Sequence, residues 1–271
     1  MFPNTSMITS KNLRSASLID REAKNIQWLE FELSNNCQYA DRHYWCPASR
    51  DDRPLIFLRS HIVYTVVDFF KQYDFAGRIY LSGYSEPLID PRLADLVRYI
   101  KKHLPKCNID MFSNGIACDE NLLADIREAG VDMIRLSAYS ASERARFQRY
   151  AAAVPGVVLV DRQVGSADDD IDGRINVYDP GTKGIGGPCY MPTLYYFVRN
   201  NGDVNMCFWD WKYTQVFGNL YCDSVEDTLL NEDRLKINRE LRSGNRDVLP
   251  VCSSCQLPDY RCTREYIGRM K

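Results

Sequence analysis

Apolar and polar residues alternate along residues 26–33, which is the pattern of a strand with one buried face. Further on, apolar residues three and four positions apart predict helices, and the two patterns then alternate as far as residue 177. The predicted strands are 26–33, 77–83, 108–114, 133–138, 157–160 and 174–177, and the predicted helices are 60–71, 92–102 and 120–129. Because such helices are the crossovers that parallel strands require, the sequence predicts a mainly parallel sheet or barrel of about six strand–helix units.

The pattern changes at the Gly/Pro-rich segment 179–188. Beyond it, two short apolar runs, 194–199 and 204–208, flank an Asn-Gly turn, which indicates a β-hairpin. A helix is predicted for residues 224–242. We therefore expect three parts: an irregular lead-in at 1–24, an α/β domain at 25–180, and a small C-terminal domain at 181–271.

Composition narrows the function classes for this chain of 271 residues, of which 45% are hydrophobic. The formal net charge of -2 gives no electrostatic reason to expect nucleic acid or an anionic membrane surface as a partner. The first twenty residues lack the apolar segment of a signal peptide, and no run approaches the roughly 20 apolar residues of a membrane span. We therefore expect a cytoplasmic protein. In that compartment, clustered cysteines are more often metal ligands than disulfide partners, and this chain has ten cysteines.

Four late cysteines form the clearest candidate metal site. Cys189 precedes the predicted hairpin and Cys207 lies on its second strand, so the turn brings two distant thiols together. Cys252 and Cys255 are spaced so that both sulfurs face one metal. Four thiolates select zinc or an iron–sulfur cluster. Zinc ribbons commonly pair two such C-x2-C knuckles and this chain has one, which favours the cluster.

The loop that follows the first strand concentrates further ligands, namely Cys37, Asp41, His43 and Cys46. Loops at the carboxyl ends of parallel strands are the usual place for chemistry. His43 lies at a two-residue spacing from Cys46, which lets both side chains turn to one metal. Imidazole is also an iron ligand, whereas carboxylate prefers harder ions. His43 is therefore favoured over Asp41 as the partner of the two thiols.

In order along the chain, four features resemble those of radical S-adenosylmethionine (SAM) enzymes with a C-terminal SPASM/twitch domain, and in particular the short 2-deoxy-scyllo-inosamine dehydrogenase type. They are Cys46-Pro47 at the end of the first loop, Ser-Gly-Tyr-Ser-Glu-Pro-Leu at 82–88, Phe-Ser-Asn-Gly at 112–115, and the four late cysteines with Gly202 five residues before Cys207. The resemblance spans residues 26–255. It implies a partial (β/α)6 TIM-like barrel with a small β-hairpin/helix iron–sulfur domain.

The resemblance also implies cofactors. An auxiliary [4Fe-4S] cluster would be bound by Cys189, Cys207, Cys252 and Cys255, and SAM would lie across the strand ends. Glu86 matches the segment that holds the methionine amino group, and Ser137 matches a region that binds the ribose. Arg174 is a weaker match for a cofactor contact.

The first loop departs from the family pattern, because members supply C-x3-C-x2-C and this chain has two cysteines there. A second, SAM-binding [4Fe-4S] cluster would have Cys37, His43 and Cys46 as ligands, or Asp41 in place of His43. Exchanging thiolate for imidazole raises the reduction potential, as in Rieske centres at about -150 to +300 mV against about -400 mV for all-cysteine plant-type clusters. Cleavage of SAM, which needs a strongly reducing cluster, would have to offset that rise.

Three functions follow from the resemblance. The first is a radical SAM oxidoreductase in which a 5'-deoxyadenosyl radical abstracts hydrogen from a small polar substrate, such as a sugar or aminocyclitol, with an external one-electron reductant such as flavodoxin or ferredoxin. The second is a radical SAM enzyme that modifies peptides; the short stretch before the first strand favours the small-molecule substrate. The third is a degenerate, non-catalytic iron–sulfur or zinc protein. Cys222 and Cys262 are candidate hydrogen donors.

Overall fold

The structure, a computed structural model, describes residues 10–40, 46, 48, 53–162 and 184–256. Its strands are β1 Trp28–Phe31, β2 Arg78–Tyr80, β3 Asn108–Ser113, β4 Met133–Ala138, β5 Val157–Asp161, β6 Tyr195–Val198, β7 Asp203–Asn205 and β8 Val216–Asn219. Its helices are α1 Ser10–Asn25, α2 Ser60–Lys71, α3 Leu93–His103, α4 Glu120–Ala129, α5 Ala141–Ala153, α6 Met191–Leu194, α7 Val225–Leu229, α8 Glu232–Arg242 and α9 Pro250–Ser253.

These strands form one sheet in the order β5-β4-β3-β2-β1-β6-β7-β8. Strands β1 to β6 pair in parallel, and β7 and β8 continue the sheet antiparallel. The predicted parallel α/β fold is therefore confirmed, and so is the hairpin of β6 and β7. The first hairpin strand also pairs with β1, so the sheet runs without a break into the C-terminal part of the chain. The predicted strand 174–177 lies outside the described residues.

The two faces of the sheet differ in chemistry. One face packs under the helices and is apolar: Leu29, Ile79 and Ile109 are each 0% exposed. The alternate positions carry charged and aromatic side chains, since successive residues of a strand point to opposite faces. There, Asp110 Oδ2 accepts hydrogen bonds from Arg78 at 2.8 Å and from Arg135 at 2.9 Å. We call the side that bears Arg78, Tyr80, Asp110, Phe112 and Arg135 the polar face.

Local signals set several element boundaries. Both ends of α4 have capping residues: the Asp119 side chain accepts a hydrogen bond from Leu122 N, and Gly130 adopts φ 121°. The helix predicted for 224–242 is wrong as a single element, because Asn231 leaves the helical conformation and its side chain caps α8 by accepting from Arg234 N. The region therefore forms α7 and α8.

The expectation of an irregular lead-in is wrong for residues 10–24, which belong to α1. This helix is polar along most of its length, so its sequence carries little periodic apolar signal. It is anchored by a buried ion pair in which Arg234 Nη1 of α8 lies 3.2 Å from Glu22 Oε2. The proposed domain divisions near residues 25 and 181 remain predictions. In the described part of the chain, no helix combines the length and apolar character needed to cross a membrane.

Candidate functional site

The four late cysteines line one small cavity. Cys189 precedes α6, Cys207 follows β7, Cys252 lies in α9, and Cys255 follows that helix. Apolar neighbours, among them Met206, Trp209 and Val251, complete much of the lining. The described cysteines form no disulfides with one another. The hairpin therefore brings Cys207 to the same place as the C-x2-C pair, as the sequence predicts.

Electrostatics make this cavity a poor place for four thiolates without a cation. Burial raises the pKa of Cys207 well above its usual range, and the neighbouring Cys189, Cys255 and Cys252 raise it further. The pKa of Cys252 is raised by the same causes. A metal centre supplies the positive charge that deprotonated ligands need, so this soft donor set fits a thiophilic metal. Across the described residues, no three His, Cys, Asp or Glu side chains converge in the arrangement that holds one metal ion.

Hydrogen bonds fix the segments that carry these cysteines. Cys189 N donates to Leu241 O of α8 at 2.8 Å, and Cys207 Sγ accepts from Trp209 N at 3.4 Å. The loop after Cys207 is closed by Asp210, which is fully buried and accepts from the backbone and hydroxyl of Thr214 and from the backbone of Gln215. The site is thus held by several elements at once.

The first-loop site is built around Cys37, at the carboxyl end of β1. Asn114 Nδ2, after β3, donates to Cys37 Sγ at 3.6 Å and to Gln38 Oε1 at 3.3 Å. Burial raises the pKa of Cys37 to about 11, and Cys46 is close enough to add to the rise. The structure therefore brings the two early cysteines together. His43 and Asp41 lie outside the described residues, so the choice between them stays a prediction.

Glu86 lies beside this pair. Its backbone N donates to Asn36 O at 2.8 Å, immediately before Cys37. Its buried carboxylate accepts from Leu88 N at 3.0 Å and from Asn114 N at 2.7 Å, while burial raises its pKa to about 7. The carboxylate therefore ties together the segments after β2 and β3, next to Cys37.

Ser137 is linked to the first-loop site by its hydrogen bond with Tyr139. Burial raises the pKa of Tyr139 to about 12; a hydrogen bond with Ser137 opposes that rise, and the nearby Cys46 and Cys37 contribute to it. Ser137 is itself buried at the end of β4. Two of the predicted SAM residues, Glu86 and Ser137, thus lie around the early cysteines. Arg174 and Cys262 fall outside the described residues, and Cys222 is an exposed thiol after β8.

Sequence reasoning missed the contacts that support the first loop. Tyr39 hydrogen-bonds through its hydroxyl to Glu143 at the start of α5, and the same carboxylate accepts from Tyr139 N at 2.9 Å. Glu143 follows Ser140 at the S-x-x-E spacing of a capping box, a signal that could have indicated the start of α5. Asn114 does lie within the 112–115 motif, and its position one residue after β3 could have indicated a role at the strand ends.

Tyr84 connects the two cysteine sites. It lies in the 82–88 motif, and its ring stacks on Phe208 with the centroids 4.3 Å apart. Its hydroxyl also donates to the Phe208 carbonyl, one residue after Cys207. The backbone N of Tyr84 donates to Glu32, which is buried beside Arg199 at the ends of β1 and β6. The segment that holds Glu86 therefore rests directly on the segment that holds Cys207.

Comparison with known proteins assigns the C-terminal site. Residues 189–256 match the SPASM family, described as an iron–sulfur cluster-binding domain, and all four late cysteines fall within the match. Residues 189–256 form a SPASM domain. The predicted SPASM domain and its iron–sulfur cluster are therefore confirmed.

Similarity to two curated proteins extends beyond this domain. The chain is 24% identical over 251 residues to the S-adenosyl-L-methionine-dependent 2-deoxy-scyllo-inosamine dehydrogenase of Niallia circulans, covering 90% of this chain and 98% of the relative. It is 25% identical over 116 residues to the tungsten-containing aldehyde ferredoxin oxidoreductase cofactor-modifying protein of Pyrococcus furiosus, covering 41% of this chain and 30% of that protein.

Solved structures show the same fold. The crystal structure of BtrN in complex with AdoMet and 2-DOIA has a TM-score of 0.70 and 23% identity, covering 86% of this chain and 93% of BtrN. The structure of anSMEcpe with bound AdoMet has a TM-score of 0.54 and 12% identity, covering 89% of this chain and 92% of that protein. The SPASM domain therefore lies on the TIM-like fold of radical SAM enzymes, as the sequence predicts.

Proposed function

We propose that this protein is a radical SAM oxidoreductase that acts on a small polar substrate such as an aminocyclitol or sugar. The observation that carries the proposal is the placement of Cys37 and Cys46 beside Glu86 and Ser137, at the carboxyl ends of parallel strands, where ligands of such sheets bind. Similarity to an aminocyclitol dehydrogenase over nearly the whole chain supports the substrate class.

Two cysteines and one further residue would hold the SAM-binding [4Fe-4S] cluster. Cys37 and Cys46 supply thiolates, and His43 is favoured over Asp41 as the third ligand. When bound, the cluster and SAM would supply the radical chemistry for hydrogen abstraction from the substrate. The chain's own residues prepare this place: Asn114 donates a hydrogen bond to Cys37 Sγ, and the buried Glu86 holds the neighbouring segments together.

The polar face suits a hydroxylated substrate. Phe112 is 37% exposed although it lies on β3, between β2 and β4, and the Arg135 guanidinium lies 5.2 Å from the centre of its ring. The ring of Tyr80 is stacked near it, with the centroids 6.4 Å apart. An exposed aromatic ring among ion-paired side chains offers both an apolar surface and hydrogen-bonding groups, as sites for small polar ligands do.

The auxiliary cluster would be bound by Cys189, Cys207, Cys252 and Cys255. Since all four ligands come from the protein, the cluster needs no further ligand and can serve as a one-electron acceptor or relay. An external reductant of the flavodoxin or ferredoxin class and a cytoplasmic location complete the proposal.

The test is SAM cleavage by anaerobically reconstituted, chemically reduced protein. We expect 5'-deoxyadenosine to form, with more of it in the presence of 2-deoxy-scyllo-inosamine or a related aminocyclitol, together with a substrate product two hydrogens lighter. The matched control is Cys37→Ala, which should abolish both products, whereas the buried core variant Cys107→Ala should retain them. Protein that contains both clusters yet forms no 5'-deoxyadenosine under any condition would instead support the degenerate, non-catalytic alternative.

The third ligand has a separate test. If His43 binds the first cluster, His43→Cys should preserve the iron content and lower the reduction potential, because thiolate donates more negative charge than imidazole. Asp41→Ala should then leave both quantities unchanged. A loss of iron in Asp41→Ala, with no response to His43→Cys, would assign the ligand to Asp41.

A further inference from the structure

The auxiliary cavity has an uneven charge. Among its described lining residues, four are cysteines, Asp210 is a carboxylate and Arg246 is the one cation. Bound as thiolates, the cysteines give the site an excess of negative charge. A basic side chain in this lining therefore changes the energy of any negative charge that the site gains or loses.

Arg246 is fixed at the cavity by its position in the chain. It begins a short 3-10 turn, Arg246–Val248, between α8 and α9, and is 5% exposed. Its Nε donates to Gly187 O at 2.8 Å and its Nη2 to Pro188 O at 3.4 Å. These two carbonyls immediately precede Cys189. The planar guanidinium, with its donors in a fixed fork, suits such a pair of neighbouring acceptors.

The Arg246 side chain lines the same cavity as the four cysteines. Its positive charge therefore acts on any cluster that these cysteines bind. Asp210, on the same lining, carries the opposite charge. Its carboxylate, however, accepts three hydrogen bonds from Thr214 and Gln215, which stabilise and spread its charge. The positive charge of Arg246 therefore stabilises negative charge that is added to this site.

We infer that Arg246 is a positioning residue that raises the reduction potential of the auxiliary cluster through its charge while holding the segment before Cys189. Reduction adds one negative charge to the cluster, and a neighbouring cation stabilises the reduced form more than the oxidised form. Arg246 thus makes the auxiliary cluster the better electron acceptor. The inference rests on the iron–sulfur part of the proposed function, and it is independent of SAM cleavage.

The test isolates the auxiliary cluster in full-length protein that carries Cys37→Ala and Cys46→Ala. In this background, R246Q removes the charge, and R239Q is the matched control because the Arg239 side chain is 71% exposed on α8. The measurements are iron and sulfide content and the midpoint potential, followed by electron paramagnetic resonance. We expect R246Q to lower the reduced-to-oxidised ratio about tenfold at a fixed ambient potential, or about 59 mV, with R239Q unchanged.

A second variant separates charge from positioning in one folded protein. In R246H, the charge is switched by pH, because histidine titrates near 6.5. Between pH 6 and pH 8.5, the potential of R246H should fall further than that of the parent protein. If R246Q keeps the parent potential, or if R246H follows the parent across this range, the inference is overturned. If R246Q loses the cluster, the pH dependence of the R246H potential decides the inference by the same criterion.

Discussion

The two cysteine sites are built in different ways. At the auxiliary site, the four cysteines come from three pieces of the fold, namely the segments before α6, after β7 and at α9, which close around one cavity. At the first site, Cys37 and Cys46 belong to a single loop, which is attached to the sheet through Asn114 and Glu86. Protein ligands that surround a metal centre suit a permanent structural or electron-transfer role, whereas a site held from one side leaves a position open for a ligand.

Removing one auxiliary cysteine should have the largest effect. Cys207→Ala leaves three ligands around a buried cavity, so we expect the iron and sulfide content to fall from about eight to about four per chain. Cys37→Ala should produce the same loss from the other site. Combining the two should leave almost no bound iron, as measured by iron and sulfide analysis after anaerobic reconstitution. Equal iron content in Cys207→Ala and unaltered protein would contradict the assignment of the auxiliary ligands.

The ion pair that anchors α8 gives the next largest effect. Arg234 is buried, pairs with Glu22 of α1 and donates to the carbonyls of Leu229 and Pro192 at 3.0 Å. Arg234→Met leaves the Glu22 carboxylate paired with the exposed Arg21 guanidinium but without its buried partner, and we expect the free energy of unfolding to fall by about 3 kcal/mol. The measurement is denaturant unfolding of the reconstituted protein.

The double variant Glu22→Leu/Arg234→Met is the control for this pair. Replacing both partners by apolar groups removes the stranded charge, so the double variant should recover most of the loss. A double variant as unstable as Arg234→Met alone would show that the charge pairing is not the cause.

A variant of Asn114 tests the hydrogen bond that supports the first cluster site. Its Nδ2 donates to Cys37 Sγ, and hydrogen bonds to cluster sulfurs stabilise the reduced state. Asn114→Ala should therefore lower the potential of the first cluster by a few-fold change in the reduced-to-oxidised ratio and leave the auxiliary potential unchanged. Asn108→Ala, on the exposed start of the same strand, is the matched control. A shift of the auxiliary potential alone would show that the Asn114 side chain does not act on the first cluster.

The smallest effect is expected at the start of α7. Ser224 caps α7, and its hydrogen bonds lower the pKa of Asp227. Ser224→Ala should cost about 1 kcal/mol of stability at neutral pH without loss of iron. Because the folded pKa of Asp227 is depressed, its share of that stability is present above the ordinary value of 3.8 and is lost as the pH falls through the lowered value. Unfolding curves at pH 7 and below pH 4 should show the difference narrowing.

Sequence pattern predicted most of the parallel sheet because β1 to β5 and the helices α2, α3 and α4 carry strong periodic signals, whereas α5, with a weak apolar pattern, was not predicted. It could not show that β6 pairs with β1, since pairing between strands 167 positions apart (Trp28 with Tyr195) leaves no local signal. The polar α1 was missed for a related reason: its main anchor is a buried charge, Glu22, whose partner is far along the chain. Periodicity identifies elements, and tertiary contacts decide their neighbours.

The residues of the candidate site also fall into those that the sequence could predict and those that it could not. The cysteines, Glu86 and Ser137 lie in recognisable motifs or at strand ends, so their residue types and spacing could predict them. Arg246 has no such signal, because its role depends on a turn that brings it to the carbonyls before Cys189. Supporting residues of this kind become visible only when the packing is known.

The pairing of β6 with β1 has a consequence for dissecting the molecule. Every residue of β1 is buried, and both its edges are hydrogen-bonded to neighbours. A fragment that stops before Cys189 would therefore uncover a ready-made template for intermolecular strand addition. Expression of the amino-terminal half alone should yield aggregates, so the activities of the halves are best separated by point variants within the intact chain.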